Sequence, residues 1–511
     1  MEHTNKPWVL ILVSIFLFSS CDDGFLDRSP LSEPSSESFW SSAENAELWI
    51  NDLYNGLPLP SEALLGVTEG ASDNAWARTN AQIGKGAHTP SSSEVRFFWN
   101  YEFIRAGLTF LEKIGEVPGI DERTKGYLTG QAKFIIAYKY YELVTVYRDV
   151  PLVTKVMSIS ESDLPKSDKA EVLAYLIGQL DEAIALLPVS WPAQNAGRFT
   201  KGAALALKAR VLLYNEKWAE AADAARQVMD LGVYKLHADF KQLFLTEYDN
   251  KNNEVILDRQ FIPGLAVHTL YSAYGFSDLG GFASFQPTAS LANSFEAIDG
   301  LPIGESLIYN AEKPMENRDP RFYETLVLPF QSVNDAYYDP INGSSALKGQ
   351  IQTNLFFRKY VNDMKKGGAP SGKNWIIIRY ADVLLMYAEA MNEHRGPDGT
   401  VYDAVDQVRI RAGMPRLDRH RYNSKEKLRN VIRNERRVEL AGEGLRYFDI
   451  VRWKIAEGVM TGPLYSFDIP GVLASKVYDV RVFDPARHYI WPIPQFAIDN
   501  ATKLIQHPEW K

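Results

Sequence analysis

Three glutamates, Glu435, Glu439 and Glu443, recur at four-residue steps and share one helical face. Carboxylates that close could form the acid and nucleophile of a glycoside hydrolase. Their surroundings argue otherwise. Arg433, Arg436, Arg437, Arg446 and Arg452 crowd the same stretch, and guanidinium groups hold carboxylates ionised, whereas an acid catalyst needs a raised pKa. The pattern reads as Glu/Arg pairs buttressing a fold, with glycoside hydrolysis kept as an alternative.

Other sequences with catalytic or ligating potential stop short of it. Gly367 to Asn374 nearly matches a phosphate-binding loop. However, Asn374 replaces the hydroxyl that would hold magnesium, and Trp375 to Ile378 reads as a strand rather than a helix, so the segment is taken as a turn. Asp249, Lys251 and Asn253 alternate like calcium ligands, but Lys251 would set a cation among them, so a solvated turn is expected. Gly275 to Leu279 lacks the closing glycine of a nucleophile elbow. The eight histidines show no helical metal-ligand spacing. No catalytic residue, metal or cofactor is expected.

Two loop stretches read as ligand surface. Ser72 to Arg78 lies outside any apolar periodicity yet joins Asp73, Asn74, Trp76 and Arg78. An aromatic ring lies well against the C–H face of a sugar while carboxylate, amide and guanidinium groups bond its hydroxyls. The second stretch sets Tyr271, Tyr274, Phe276, Phe282 and Phe285 among glycines. Trp99 falls within a helical pattern and is expected to pack.

The elements that must hold these loops are helical. Helices are predicted from Ser38 to Tyr54, Phe97 to Ile114, Thr124 to Tyr147 and Lys169 to Leu187, from apolar residues at three- and four-residue steps. Gly202 to Met229 places alanines and larger residues as a tetratricopeptide-like hairpin does. Arg379 to Glu393 and Val401 to Ala412 form a similar pair around a Gly396-Pro397-Asp398-Gly399 turn. Glu426 to Val451 reads as one further helical stretch, and 66–94 as loop. No regular 34-residue period runs through the chain. The predicted fold class is mainly α: tetratricopeptide-like hairpins in an α/α superhelix, with long irregular insertions and a few short strands.

The single cysteine, Cys21, follows an apolar run from Trp8 to Phe18. As a helix that run rises roughly 16 Å, too little for a bilayer core of about 30 Å and fitting for a signal peptide. Ser19 and Ser20 before Cys21 resemble a bacterial lipobox, with Phe18 where leucine is commoner. The expected organisation is a signal peptide at 1–20, a lipidated tether at 21–37, a helical region at 38–234, a loop-rich insertion at 235–375 within the same globular unit, and a helical region at 376–511. One cysteine excludes a disulfide within the chain. A net charge of −9 with both signs interspersed argues against nucleic acid.

In order along the chain, several stretches together resemble the SusD/RagB family of outer-membrane nutrient-uptake lipoproteins. They are Cys21 to Pro30, Arg379 to Ala390, Val408 to Gly413, Asn434 to Leu440, Gly444 to Trp453, Trp491 to Pro494, Asn500, and Gln506 to Trp510. His507 and Glu509 depart from the family tail, where Asn and Gly are usual. The resemblance implies a non-catalytic cell-surface lipoprotein that binds oligosaccharide or polysaccharide and caps a SusC-like TonB-dependent barrel. Peptide cargo in the same type of complex is the first alternative, and a glycoside hydrolase the second. It also implies a diacylglyceryl thioether on Cys21, usually with an N-acyl chain such as palmitate. The place of Asp73 to Arg78, between the first two helices, resembles where family members put part of their binding surface.

Overall fold

The computed structural model describes residues 39–79, 81–362 and 371–511. Nine helices form its frame: α1 (Ala43–Leu53), α2 (Glu102–Lys113), α3 (Glu122–Tyr147), α4 (Lys169–Leu186), α5 (Lys201–Tyr214), α6 (Trp218–Asp230), α7 (Tyr380–Arg395), α8 (Gly399–Arg411) and α9 (Lys425–Glu439). Neighbours in sequence pack on one another from α1 to α6. Helix α7 then docks on α6 and receives α8 and α9. Hairpin thus follows hairpin, and α7 closes the gap left by the insertion between 230 and 380.

Local chemistry fixes the helix starts. Asp121 accepts the backbone N–H groups of Arg123 and Thr124 at the head of α3. Asp398 does the same for Thr400 and Val401 at α8, and Ser424 accepts from Lys427 at α9. Each satisfies donors that a helix leaves open at its first turn. Helix α5 is buried along nearly its whole length, because α4 and α6 cover it on two sides. Such a helix shows no polar face, and its alanines at 203, 204, 206 and 209 let the neighbours approach.

The helix boundaries follow the sequence reading closely at α3 and α4, while α1 starts at Ala43 rather than Ser38 and α2 at Glu102 rather than Phe97. Glu426 to Val451 is not one stretch. Helix α9 ends at Glu439, and a separate helix covers Arg446–Arg452. Gly442 and Gly444 between them both sit at φ +78°, a left-handed conformation that glycine adopts at little cost.

Strands β1 (Ala75–Ala77) and β3 (Phe285–Pro287) pair antiparallel, with Trp76 opposite Gln286. Strand β2 (Val255–Arg259) pairs with β4 (Trp375–Arg379), which leads directly into α7. A hairpin of β5 (Gly462–Tyr465) and β6 (Val477–Arg481) completes the set used below. The expected loop at 66–94 holds β1 and a short helix (Gln82–Lys85), follows on a short helix at Glu62–Val67 and runs into a 3₁₀ turn at Ser93–Arg96.

Candidate functional site

The glutamate stripe of α9 faces inward and is saturated by cations. Arg321 donates to Glu435 at 2.5 Å and to Glu439 at 2.9 Å. Arg379 donates to Glu439 at 2.6 Å, to Glu443 at 2.8 Å and to Glu254 at 2.8 Å. Arg411 also donates to Glu439, Arg409 to Glu435, and Lys359 to Glu443. Burial alone would raise the Glu439 carboxyl, but Arg411, Arg379 and Arg321 bring it well below the usual carboxylate range. An ionised carboxylate held by three guanidinium groups has no proton to give. The same helix sends Arg436 to Asp382 and to Asp449, and Arg210 reaches Asp382 at 2.5 Å.

The other motifs have equally structural partners. Lys373 pairs with Asp249, and Asn374 donates to Asp258 at 2.9 Å. The near phosphate loop and the near calcium loop thereby hold each other, and Trp375 to Ile378 is the strand expected. His507 is buried with Nδ1 3.0 Å from Lys166 Nζ, and Glu509 pairs with Arg148 at 2.7 Å. The two tail departures from the family pattern therefore each have a side-chain partner.

The segment expected as ligand surface divides. Asp73 and Asn74 are buried, which corrects their assignment to a surface. Arg446 grips both oxygens of Asp73 at 2.8 and 3.0 Å, and Arg437 pairs with it as well. Burial tends to raise the Asp73 carboxyl, yet Arg437 and Arg446 lower it to about 2. Asn74 donates to Glu69 at 3.1 Å and accepts from Arg437 at 2.8 Å. Glu69 in turn accepts the backbone N–H groups of Gly442 and Gly444, and Arg481 donates to the carbonyls of Gly70, Ser72 and Ala75. A polar loop is thus carried through the core, its backbone satisfied by side chains from the C-terminal third.

Trp76 and Arg78 emerge from that anchored loop. Trp76 is half-buried, and its indole N–H donates to Asp479 of β6 at 3.1 Å. Its ring meets Tyr478 edge-on with centroids 6.3 Å apart. Arg78 is exposed, while its backbone N–H donates to the Ser284 carbonyl and prolongs the β1–β3 pairing. Phe282, two residues from that bond, is 61% exposed.

The second aromatic group divides likewise. Tyr271, Tyr274 and Phe276 are buried, a correction to their expected exposure. Tyr274 stacks on Phe357 with centroids 4.5 Å apart and donates its hydroxyl to the Gly442 carbonyl. Phe276 stacks on Phe356 at 5.1 Å. These rings pin the insertion to the scaffold, and so does the buried Phe285. Trp99 packs against Tyr101 and Tyr147 as expected.

Trp76, Arg78 and Phe282 are therefore brought together at one strand pair, bordered by the β5–β6 hairpin. Sequence reading missed the hairpin, where Tyr465, Val477 and Val480 are each at least half exposed. The β-branched and aromatic residues Val477, Tyr478 and Val480 were a usable strand signal. Cys21, the expected lipidation residue, lies outside the described residues.

Fold and site define a helical-hairpin binding protein that presents aromatic and charged side chains on irregular insertions. The chain belongs to the SusD/RagB family: the SusD family model matches residues 247–510, and a second family, described as starch-binding and associating with the outer membrane, matches residues 24–213. A SusD-like protein of Formosa agariphila is 28% identical over 489 residues, covering 89% of this chain and 92% of that one. A SusD-like protein of Bacteroides fragilis superposes with a TM-score of 0.83 at 27% identity, over 94% of this chain and all of that one. A SusD-like carbohydrate-binding protein of the same species gives 0.81 at 28% identity, over 91% of this chain and all of that one. Among the described residues no helix is long and apolar enough to cross a membrane.

Proposed function

We propose that the protein is a non-catalytic glycan-binding lipoprotein of the cell surface, held to the outer membrane through lipid on Cys21. It captures oligosaccharide or polysaccharide and delivers it to a partner SusC-like TonB-dependent barrel. The observation that carries this reading is the full-length likeness to a SusD-like carbohydrate-binding protein, at 28% identity and a TM-score of 0.81. The geometry supports it in two ways. Trp76, Arg78 and Phe282 offer a ring face, a guanidinium and an apolar edge on one surface. The carboxylates spaced like a hydrolase pair are instead engaged by arginines, which supports binding without chemistry.

Native electrophoresis of the detergent-solubilised full chain through gels cast with a panel of polysaccharides tests the reading. Retardation is expected in at least one glycan, weakened by Trp76→Ala. Free passage through every gel, with peptides recovered from the purified protein instead, would shift the cargo to peptide. The anchor is tested separately: Cys21→Ala should leave the membrane fraction, and undiminished recovery with membranes would assign the holding to the barrel.

A further inference from the structure

Away from Trp76, three helices end around one cavity. Helix α3 stops at Tyr147, α5 at Tyr214 and the helix Arg446–Arg452 at Arg452. The cavity between these ends has a volume of about 510 Å³, the size of a small-molecule site. Five cations line it (Arg148, Lys169, Arg452, Lys454 and Arg487) against two carboxylates, Glu216 and Glu509.

The cations differ in what they hold. Arg148 is paired with Asp149 at 2.9 Å and with Glu509 at 2.7 Å. Arg452 is paired with Glu389 at 2.6 Å and with Asp449 at 2.9 Å. Arg487 lies 3.9 Å from Asp484. Lys169 and Lys454 have no such partner: among the described residues neither ammonium makes an ion pair or donates a hydrogen bond, and Lys454 rests over the Tyr489 ring at 4.2 Å. Burial pushes Lys169 below the ordinary lysine range, and the nearby Lys454 charge adds to the shift. Burial lowers Lys454 too, with the Glu216 carboxylate opposing the shift and Arg148 adding to it.

Lys169 is partly buried and Lys454 exposed, and the Glu216 charge lies near both, but neither ammonium has a carboxylate within ion-pair distance. The helix C-termini carry partial negative charge that favours a nearby cation, but none of their carbonyls accepts a hydrogen bond from either lysine. An oxyanion entering the cavity would supply both the missing charge and the missing acceptors. We propose that this cavity is a second binding site, taking the carboxylate or sulfate of an acidic sugar unit, with Lys169 and Lys454 as its counterions. The sugar part rests on the glycan-binding reading above; the oxyanion part rests on the cavity alone.

Calorimetric titration of the detergent-solubilised full chain at low salt, with glucuronate, glucose 6-sulfate, glucose and inorganic sulfate as probes, tests it. The two acidic sugars are expected to bind at least roughly tenfold more tightly than glucose, and Lys169→Met and Lys454→Met should each weaken them roughly tenfold. Both variants should stay folded, since each removes a charge without a partner. Inorganic sulfate binding as tightly as the acidic sugars overturns the sugar assignment. Absence of binding by any anion, or unchanged binding in both variants, overturns the site. Trp76→Ala should leave these affinities intact while losing polysaccharide retention, so failure here and failure of the Trp76 surface read out separately.

Discussion

Around Glu439 three guanidinium groups converge on one buried carboxylate, whereas between the helix ends Lys169 and Lys454 face a cavity without an ion pair of their own among the described residues. Both regions are rich in basic side chains, and the sequence shows only the first as a pattern. The difference lies in what each charge is asked to do. In the lattice around Glu439 each cation is ion-paired within the protein, so the charges hold loops and helices in register. At the helix ends the surplus remains open. Charge density alone therefore does not mark a site in this fold; unspent charge does.

Breaking the lattice should have the largest effect. Glu439→Ala strips Arg321, Arg379 and Arg411 of a shared acceptor, and the loss of a partner from a buried network costs about 3–5 kcal/mol. Denaturant unfolding should show this loss, or the variant should fail to accumulate as folded protein. A variant of wild-type stability would mean that the lattice is not what holds the C-terminal helices.

Acid should probe the same principle at the anchored loop. The folded-state Asp73 carboxyl is lowered to about 2, below its unfolded value of about 3.9. Its contribution is thus present above about pH 4 and lost as the pH falls toward 2, on the order of 2–3 kcal/mol. Asp258 behaves oppositely. Burial raises it to about 6 despite the Asn374 hydrogen bond, so its contribution is present below about pH 4 and lost as the pH rises through 6. Thermal melts between pH 2 and pH 8 should show a shallower limb below about pH 4 in Asp73→Asn and a flatter limb between about pH 4 and pH 6 in Asp258→Asn.

Smaller effects sharpen the contrast. Lys169→Met should raise Tm by about 1–2 °C, because it removes a partly desolvated charge that nothing satisfies. A lower Tm would place Lys169 among the spent charges. Lys313→Ala, at an exposed pair with Glu316 on an exposed loop, should change stability by less than about 0.5 kcal/mol.

Much of the scaffold was legible because its signals are local. Apolar spacing and caps such as Asp121 and Asp398 mark helices whatever surrounds them. Glu435, Glu439 and Glu443 are ion-paired as read, but by Arg321, Arg379, Arg409, Arg411 and Lys359, while the adjacent Arg436, Arg437, Arg446 and Arg452 pair with other carboxylates. The site was legible only in part. Asp73 and Asn74 read as surface because they are polar and aperiodic, yet Arg437 and Arg446 reach them, and Arg481 the neighbouring Ser72 carbonyl, from more than 350 residues away. No local pattern reports a partner that distant. Tyr274 and Phe276 misled for the matching reason, since their stacking partners Phe357 and Phe356 lie some 80 residues on, across irregular chain. Trp76 stays only partly exposed, with its indole N–H meeting Asp479 of the neighbouring hairpin.

The central claim is capture without chemistry. It is tested most directly by titrating the full chain with an oligosaccharide of whichever glycan retards it in gels, then chromatographing the mixture after prolonged incubation. The account predicts saturable binding, weakened at least roughly tenfold by Trp76→Ala, with the oligosaccharide recovered at its original length. Shortened products, or binding that Trp76→Ala leaves unchanged, would contradict it.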